Sequence, residues 1–175
     1  MEIETKNMRT ENLFIAAKDE LNLVLSFFSR VDARASVALA IDTGMLAVLA
    51  TNTPAVHAMS WSSLIAIAPV VLIGISLYHL YKAAFPRLDG GQSSLVYFQE
   101  IARRTEHKFI SEFMAQSEDD YVKDLLSQTW RNAEILKQKF GSLKYAYIFL
   151  GLAILPWLAT LAVFALNHSQ ALFLK

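Results

Sequence analysis

The segment Tyr145 to Leu166, YAYIFLGLAILPWLATLAVFAL, contains no charged residue. A helix rises about 1.5 Å per residue, so about 20 residues cross the hydrocarbon of a bilayer. This stretch meets both demands of a membrane span, length and apolarity. It makes the chain an integral membrane protein and sets the frame for the rest of the sequence.

Composition agrees. Of 175 residues, 54% are hydrophobic and 18% charged, whereas soluble domains carry about 25% charge. The charges gather in Met1 to Arg34 and in Lys82 to Lys144. Elsewhere they nearly vanish, as insertion demands, because a charged group at mid-membrane costs about 2.5–3.5 kcal/mol. Formal net charge is zero and there is no Cys. No basic excess points to a nucleic acid polymer, and disulfides, thiolate metal sites and a Cys nucleophile are excluded. The acidic, polar first thirty residues predict no removable signal peptide.

Two more spans precede the first one quoted. One lies between Arg34 and His57, with Asp42 as its only charge. The other runs from Trp61 to about Tyr81. Trp61 suits one interface; Tyr78, Tyr81 and Phe85 suit the other. Pro69 lies inside it and predicts a kink, because proline clashes with the carbonyl four residues back, here Ile65. A neighbouring helix must then satisfy that carbonyl. Between the two spans, Thr51 to Ser60 is a short polar turn.

The charged segments have helical periodicity. Phe14, Ala17, Leu21, Leu25 and Phe28 form one stripe of an amphipathic helix, which either packs on the other charged segment or lies on the membrane surface. After a helix-breaking run, Pro86 to Ser94, come two further stripes. Leu95, Phe98, Ala102, Thr105, Phe109 and Phe113 form one. Val122, Leu126, Thr129, Ala133, Leu136 and Phe140 form the other. They predict an antiparallel helical pair separated near Ser117 to Asp120. Only Gly141 interrupts the passage from the second of these into the last span, so a single long helix is expected.

Lys and Arg set the orientation. The Thr51 to Ser60 turn has none, the Lys82 to Lys144 segment has ten and the N-terminal segment has five. The positive-inside rule places the N-terminus and the middle segment in the cytoplasm and the C-terminus outside. The expected fold is all-α: a cytoplasmic amphipathic helix (1–33), transmembrane helices at 34–56, 61–82 and 145–167, a cytoplasmic helical segment (83–144) between spans two and three, and a short external tail (168–175).

No enzyme motif is present: no Gly-rich phosphate loop, no His-Glu-x-x-His and no Gly-x-Ser-x-Gly. His57, His79, His107 and His168 are too scattered for a metal site. No catalytic residue, metal or cofactor is assigned. Asp42 is the sharpest single residue. It is either a pore-lining or gating acid in an oligomer, or a hydrogen-bonded packing residue. Pro69 and Pro156 are either hinges or fixed kinks. Arg103, Arg104, Lys108, Arg131, Lys137 and Lys139 are candidates for anion binding, the arginines above all, since the guanidinium fork suits phosphate. Tyr121 and Trp130 are candidates for stacking on a base. The alternative is a solvated helix face, with an Arg131–Glu134 pair and Trp130 packed between helices.

The runs Val31 to Ser36, Tyr97 to Ala102, Asp120 to Gln128 and Asn132 to Phe140 resemble stretches of one family, the Pycsar transmembrane effectors. Val31-Asp32-Ala33-Arg34-Ala35-Ser36 resembles its Asp-x-Lys-Ala signature. Tyr97-Phe98-Gln99-Glu100-Ile101-Ala102 resembles its aromatic-Phe-x-x-Ile element. Asp120-Tyr121-Val122-Lys123-Asp124-Leu125-Leu126-Ser127-Gln128 resembles its Asp-Tyr-x-x-Asp-Leu-x-x-Gln element. Asn132 to Phe140 resembles the stretch before the last span. The resemblance covers about Ser26 to Phe164. It departs at Arg34, where the family usually has Lys, and at Asp42, where an uncharged polar residue is usual. It implies bacterial antiphage defence by abortive infection. A partner cyclase makes cyclic UMP or cyclic CMP, and an inner-membrane effector, expected to be a homo-oligomer, senses it and disrupts the bilayer. Two other readings remain: a membrane effector answering a cyclic oligonucleotide or protein partner, and a non-gated membrane scaffold.

Overall fold

The computed structural model describes residues 2–53, 64–85, 91 and 93–173, with side chains described for 8–53, 64–85, 91 and 93–167. Five helices account for nearly all of it: α1 (Glu2–Asn52), α2 (Ile67–Ala84), α3 (Phe98–Ala102), α4 (Glu106–Ala115) and α5 (Glu118–Phe173). The described residues contain no strand. Helices α1, α2 and α5 each contain a stretch long and apolar enough to cross a membrane. The protein is an all-α integral membrane protein. Trp61, most of the turn before it and Pro86 to Gly90 lie outside the described residues.

The chain forms two compact units: Met1–Arg30 with Pro86–Gln138, and Val31–Phe85 with Lys139–Lys175. Helices α1 and α5 contribute to both. The expected single helix from the charged segment into the last span is α5, which runs through Gly141 and Pro156 without interruption. No Cβ neighbour crowds Gly141, and the helix continues because its flanking residues are good helix formers.

The membrane unit is packed along a three-and-four repeat. Its buried positions include Ala38, Asp42, Met45 and Leu49 on α1; Ile73, Ser76, Leu80 and Ala83 on α2; and Leu143, Ala146, Leu150 and Ala153 on α5. That period is the seam of left-handed helix packing. Small residues fill much of it, as they do where helices approach closely in lipid. The large apolar side chains, among them Val37, Ile41, Val71, Ile148, Leu152 and Leu155, point outward. This is the reverse of a water-soluble bundle.

The expected kink inside the second span takes the form of a turn at Ala66, between helical Ile65 and Ile67 and three residues before Pro69. Pro69 then stands in the first turn of α2, and its missing N–H leaves the Ile65 carbonyl without a helical bond. The Ile65 carbonyl, which that N–H would have served, has a neighbour as expected. Thr160 Oγ1 on α5 lies 3.4 Å from it, and bonds the Pro156 carbonyl at 2.8 Å.

In the other unit, the N-terminal half of α1 packs on α5, not apart from it. Ala17 and Leu21 form a core with Val122 and Leu125, flanked by Phe14, Val96 and Tyr121. The stripes differ by one residue from expectation: Leu25 and Leu126 are exposed, and Leu125 takes the inward place. A strict four-residue step drifts off a 3.6-residue period, and a three-residue step restores it. The helix expected from Leu95 to Phe113 is broken at Arg103 to Thr105. Thr105 caps α4, its hydroxyl accepting from the Lys108 N–H. Arg104 takes the Glu100 carbonyl at the end of α3.

Candidate functional site

Among the described residues of the non-membrane unit, two cavities are built around the joints between α3, α4 and α5. The loop before α3 is fixed first. Asp124 accepts from the Leu95 N–H at 2.8 Å and from the Ser94 hydroxyl at 3.0 Å. From the other side, Arg104 donates to the Ser93 and Ser94 carbonyls. Ser93 has φ 66°, a left-handed conformation that costs roughly 1–2 kcal/mol outside glycine. Its N–H bonds to Glu100 at 3.2 Å.

The first cavity, of about 620 Å³, brings together three of the sequence-predicted cations, Arg103, Arg104 and Lys108, with Glu100 and Glu112. The three are not equivalent. The Arg104 side chain is 11% exposed and spends its donors on Glu112 and three carbonyls. It holds the loop. Arg103 and Lys108 are 67% and 65% exposed, each beside one carboxylate at the rim.

The second cavity, of about 600 Å³, is lined by rings and acids: Phe14 from α1, Phe113 from α4, Tyr121 from α5, and Glu11 and Glu118. Tyr121 lies 5.9 Å from Phe14 and 5.4 Å, edge-on, from Phe113, centroid to centroid. Gln116 lines both cavities. Its Oε1 is buried and has no partner among the described residues.

Arg131 and Trp130 line neither cavity. Trp130 is 63% exposed, which corrects the expectation that it packs between helices. Nine residues separate it from Tyr121, which turns it to the opposite side of α5 at about 100° per residue. The two rings therefore cannot clasp one base within a chain. Arg131 makes no ion pair with Glu134 among the described residues. It lies with Gln128 against Gly91, where a Cβ would come within 3.0 Å of Gln128 Nε2 and 3.3 Å of Arg131 Cζ. Glycine there lets the loop pass directly over α5.

In the membrane unit Asp42 has no exposed surface. Ser76 Oγ, on α2, donates to Asp42 Oδ2 at 2.6 Å and lies 3.1 Å from the Ala146 carbonyl on α5. Asp42 Oδ1 has no partner among the described residues. The acid thus sits among three helices and is tied to two of them through one hydroxyl. Pro156 stands inside α5, next to Trp157, whose indole N–H donates to the Met45 carbonyl at 3.0 Å.

Sequence reasoning missed Ser76, Gln116 and the structural role of Asp124. Ser76 and Asp42 are 34 residues apart, and only packing pairs them. Asp124 stood in a recognised stretch whose purpose needed the loop. The described residues contain no group of His, Cys, Asp and Glu able to hold a metal.

The sequence profile of the Pycsar effector protein domain matches residues 16–166. No curated protein and no solved structure matches the chain.

Proposed function

The chain belongs to the Pycsar effector protein family, the membrane effectors of an antiphage defence system, and on that premise we propose that it is a switch. Its non-membrane unit senses a cyclic pyrimidine mononucleotide, cyclic UMP or cyclic CMP, made by a partner cyclase. Its membrane unit then impairs the inner membrane and kills the infected cell. The Lys- and Arg-rich unit faces the cytoplasm, where the messenger is made.

One observation carries this reading. Helices α1 and α5 each contribute residues to the sensing unit and then to the membrane unit. A ligand that alters their arrangement in the first unit alters the helices of the second directly. Binding has this effect only through differential affinity for the two arrangements. In the resting arrangement Asp42 is enclosed, so any exposure of that acid to a leak pathway requires the helices to part.

Dye leakage from liposomes carrying the purified protein tests the proposal, with cyclic UMP, CMP, AMP and GMP added separately. Leakage with a pyrimidine nucleotide alone is expected. Intact vesicles with all four, while the protein is folded and inserted, would remove the nucleotide switch and leave an effector that answers another signal.

A further inference from the structure

We propose that the messenger binds across the two cavities of the non-membrane unit, its cyclic phosphate in the cavity of Arg103 and Lys108 and its base in the cavity of Phe113 and Tyr121, with Gln116 between them. This assignment rests on the nucleotide-sensing reading and gives it a site.

Charge decides which end goes where. Among the described lining residues, three cations against two carboxylates leave the first cavity with a single positive charge. A 3′,5′-cyclic phosphate is a diester with a single negative charge. Arg103 and Lys108 are exposed and each pairs with one carboxylate, so each retains N–H donors for a phosphate oxygen. Arg104 has a different task, because its donors already hold the loop. Among its described lining residues the second cavity carries Glu11 and Glu118 and no cation. It repels a phosphate and suits a base.

The second cavity also has the groups a base needs. Phe14, Phe113 and Tyr121 are already in ring contact, and aromatic faces accept bases by stacking. A carboxylate accepts from the N3–H of uracil or the amino group of cytosine. The Gln116 amide, which supplies two donors and an acceptor, lies beside both cavities. Its buried Oε1 without a partner is a group left to be satisfied.

The position explains how a small ligand would be felt in the membrane. The ring cavity is walled by Thr10 and Phe14 of α1 and by Glu118 and Tyr121 of α5. These are the two helices that continue into the membrane unit. A base stacking there must change the Phe14–Tyr121 contact, and so the spacing of α1 and α5.

The test is calorimetric titration of the full-length protein in nanodiscs with cyclic UMP and with cyclic CMP. Arg103→Glu and Lys108→Glu, both at exposed positions, should each weaken binding at least tenfold. Phe113→Leu, which keeps apolar bulk but removes the ring, should weaken it about as much, while Phe113→Tyr keeps it. Glu118→Gln should change the ratio of the two affinities. Arg131→Ala and Trp130→Ala should bind like wild type. If wild type binds and the Arg103, Lys108 and Phe113 variants stay within twofold of it, this site is wrong and the switch itself stands. If folded wild type binds neither nucleotide, the switch falls and the site with it.

Discussion

Ser76 is the residue whose loss says most about the membrane unit. Its hydroxyl has one hydrogen and lies within bonding distance of two oxygens, from Asp42 on α1 and Ala146 on α5. Asp42 has no other partner among the described residues. Ser76→Ala would leave a fully buried carboxyl with neither oxygen bonded. Leaving such a group unsatisfied costs about 1–3 kcal/mol. The variant should unfold at lower temperature in detergent and should leak without nucleotide, because the resting arrangement loses its polar tie. Asp42→Asn keeps both size and bonding capacity and should behave nearly as wild type. Unchanged melting and a tight vesicle for Ser76→Ala would mean that packing of Ala38, Ile73 and Ala146 alone holds these helices together. Asp42 was conspicuous in the sequence because it is a lone charge in an apolar run. Its partner was not, since one serine among several in a span carries no such mark. Trp130 misled for a related reason. Aromatic size predicts burial on average, yet its place on α5 faces away from Tyr121 and the α1 contact.

At the scale of elements, α5 begins on a reciprocal cap. Ser117 accepts from the Asp120 N–H at 3.2 Å, and its hydroxyl donates to Asp120 Oδ2 at 2.7 Å. Lys123 closes the group at 3.0 Å from Asp120 Oδ1. The Ser117 hydroxyl first, and then Lys123, hold the Asp120 carboxyl below its ordinary value of 3.8. The same contact holds the Lys123 ammonium above 10.5. The signs set a window. The Asp120 contribution is complete well above pH 3.8 and fades as pH falls through the lowered native value. The Lys123 contribution is complete below pH 10.5 and fades as pH rises through the raised one. Between these limits, amide exchange in the first turn of α5 should not vary with pH beyond its intrinsic chemistry, and protection should fall under strong acid. Ser117→Ala should cost about 1 kcal/mol of local stability, seen as faster exchange at Asp120 and Tyr121. Equal protection in the variant would show that the turn is held by Tyr121 packing instead. This joint was legible as a boundary from its acids. The break between α3 and α4 was equally open to reading, through Thr105 followed by Glu106, but a continuous apolar stripe outweighed it. The three spans were clear because hydrocarbon imposes length and apolarity together. The two cavities were not: the second joins residues of α1 to residues about a hundred positions later, and the first lies within 93–116 but forms only because that run breaks between α3 and α4.

At the scale of the molecule, the described helices of the membrane unit bury their facing side chains against one another. Its seam is filled by Ile73, Leu80, Leu143 and Leu150, and its buried polar groups, Asp42, Ser76 and Thr160, are enclosed. Three helices in contact along such a seam are too few to surround a lumen. Its outward face is a continuous array of large apolar side chains, suited to lipid and equally suited to another copy. Leakage should therefore be a property of several copies acting together. The measurement is dye release at fixed nucleotide while the protein-to-lipid ratio is lowered until most vesicles carry one chain, with copies per vesicle counted by single-molecule photobleaching. Leakage should rise more steeply than the first power of copy number, and single-copy vesicles should stay tight. A leak from single-copy vesicles would place the damage in one chain. Parting of α1, α2 and α5 around Asp42 would then be the pathway itself, with no assembly step required.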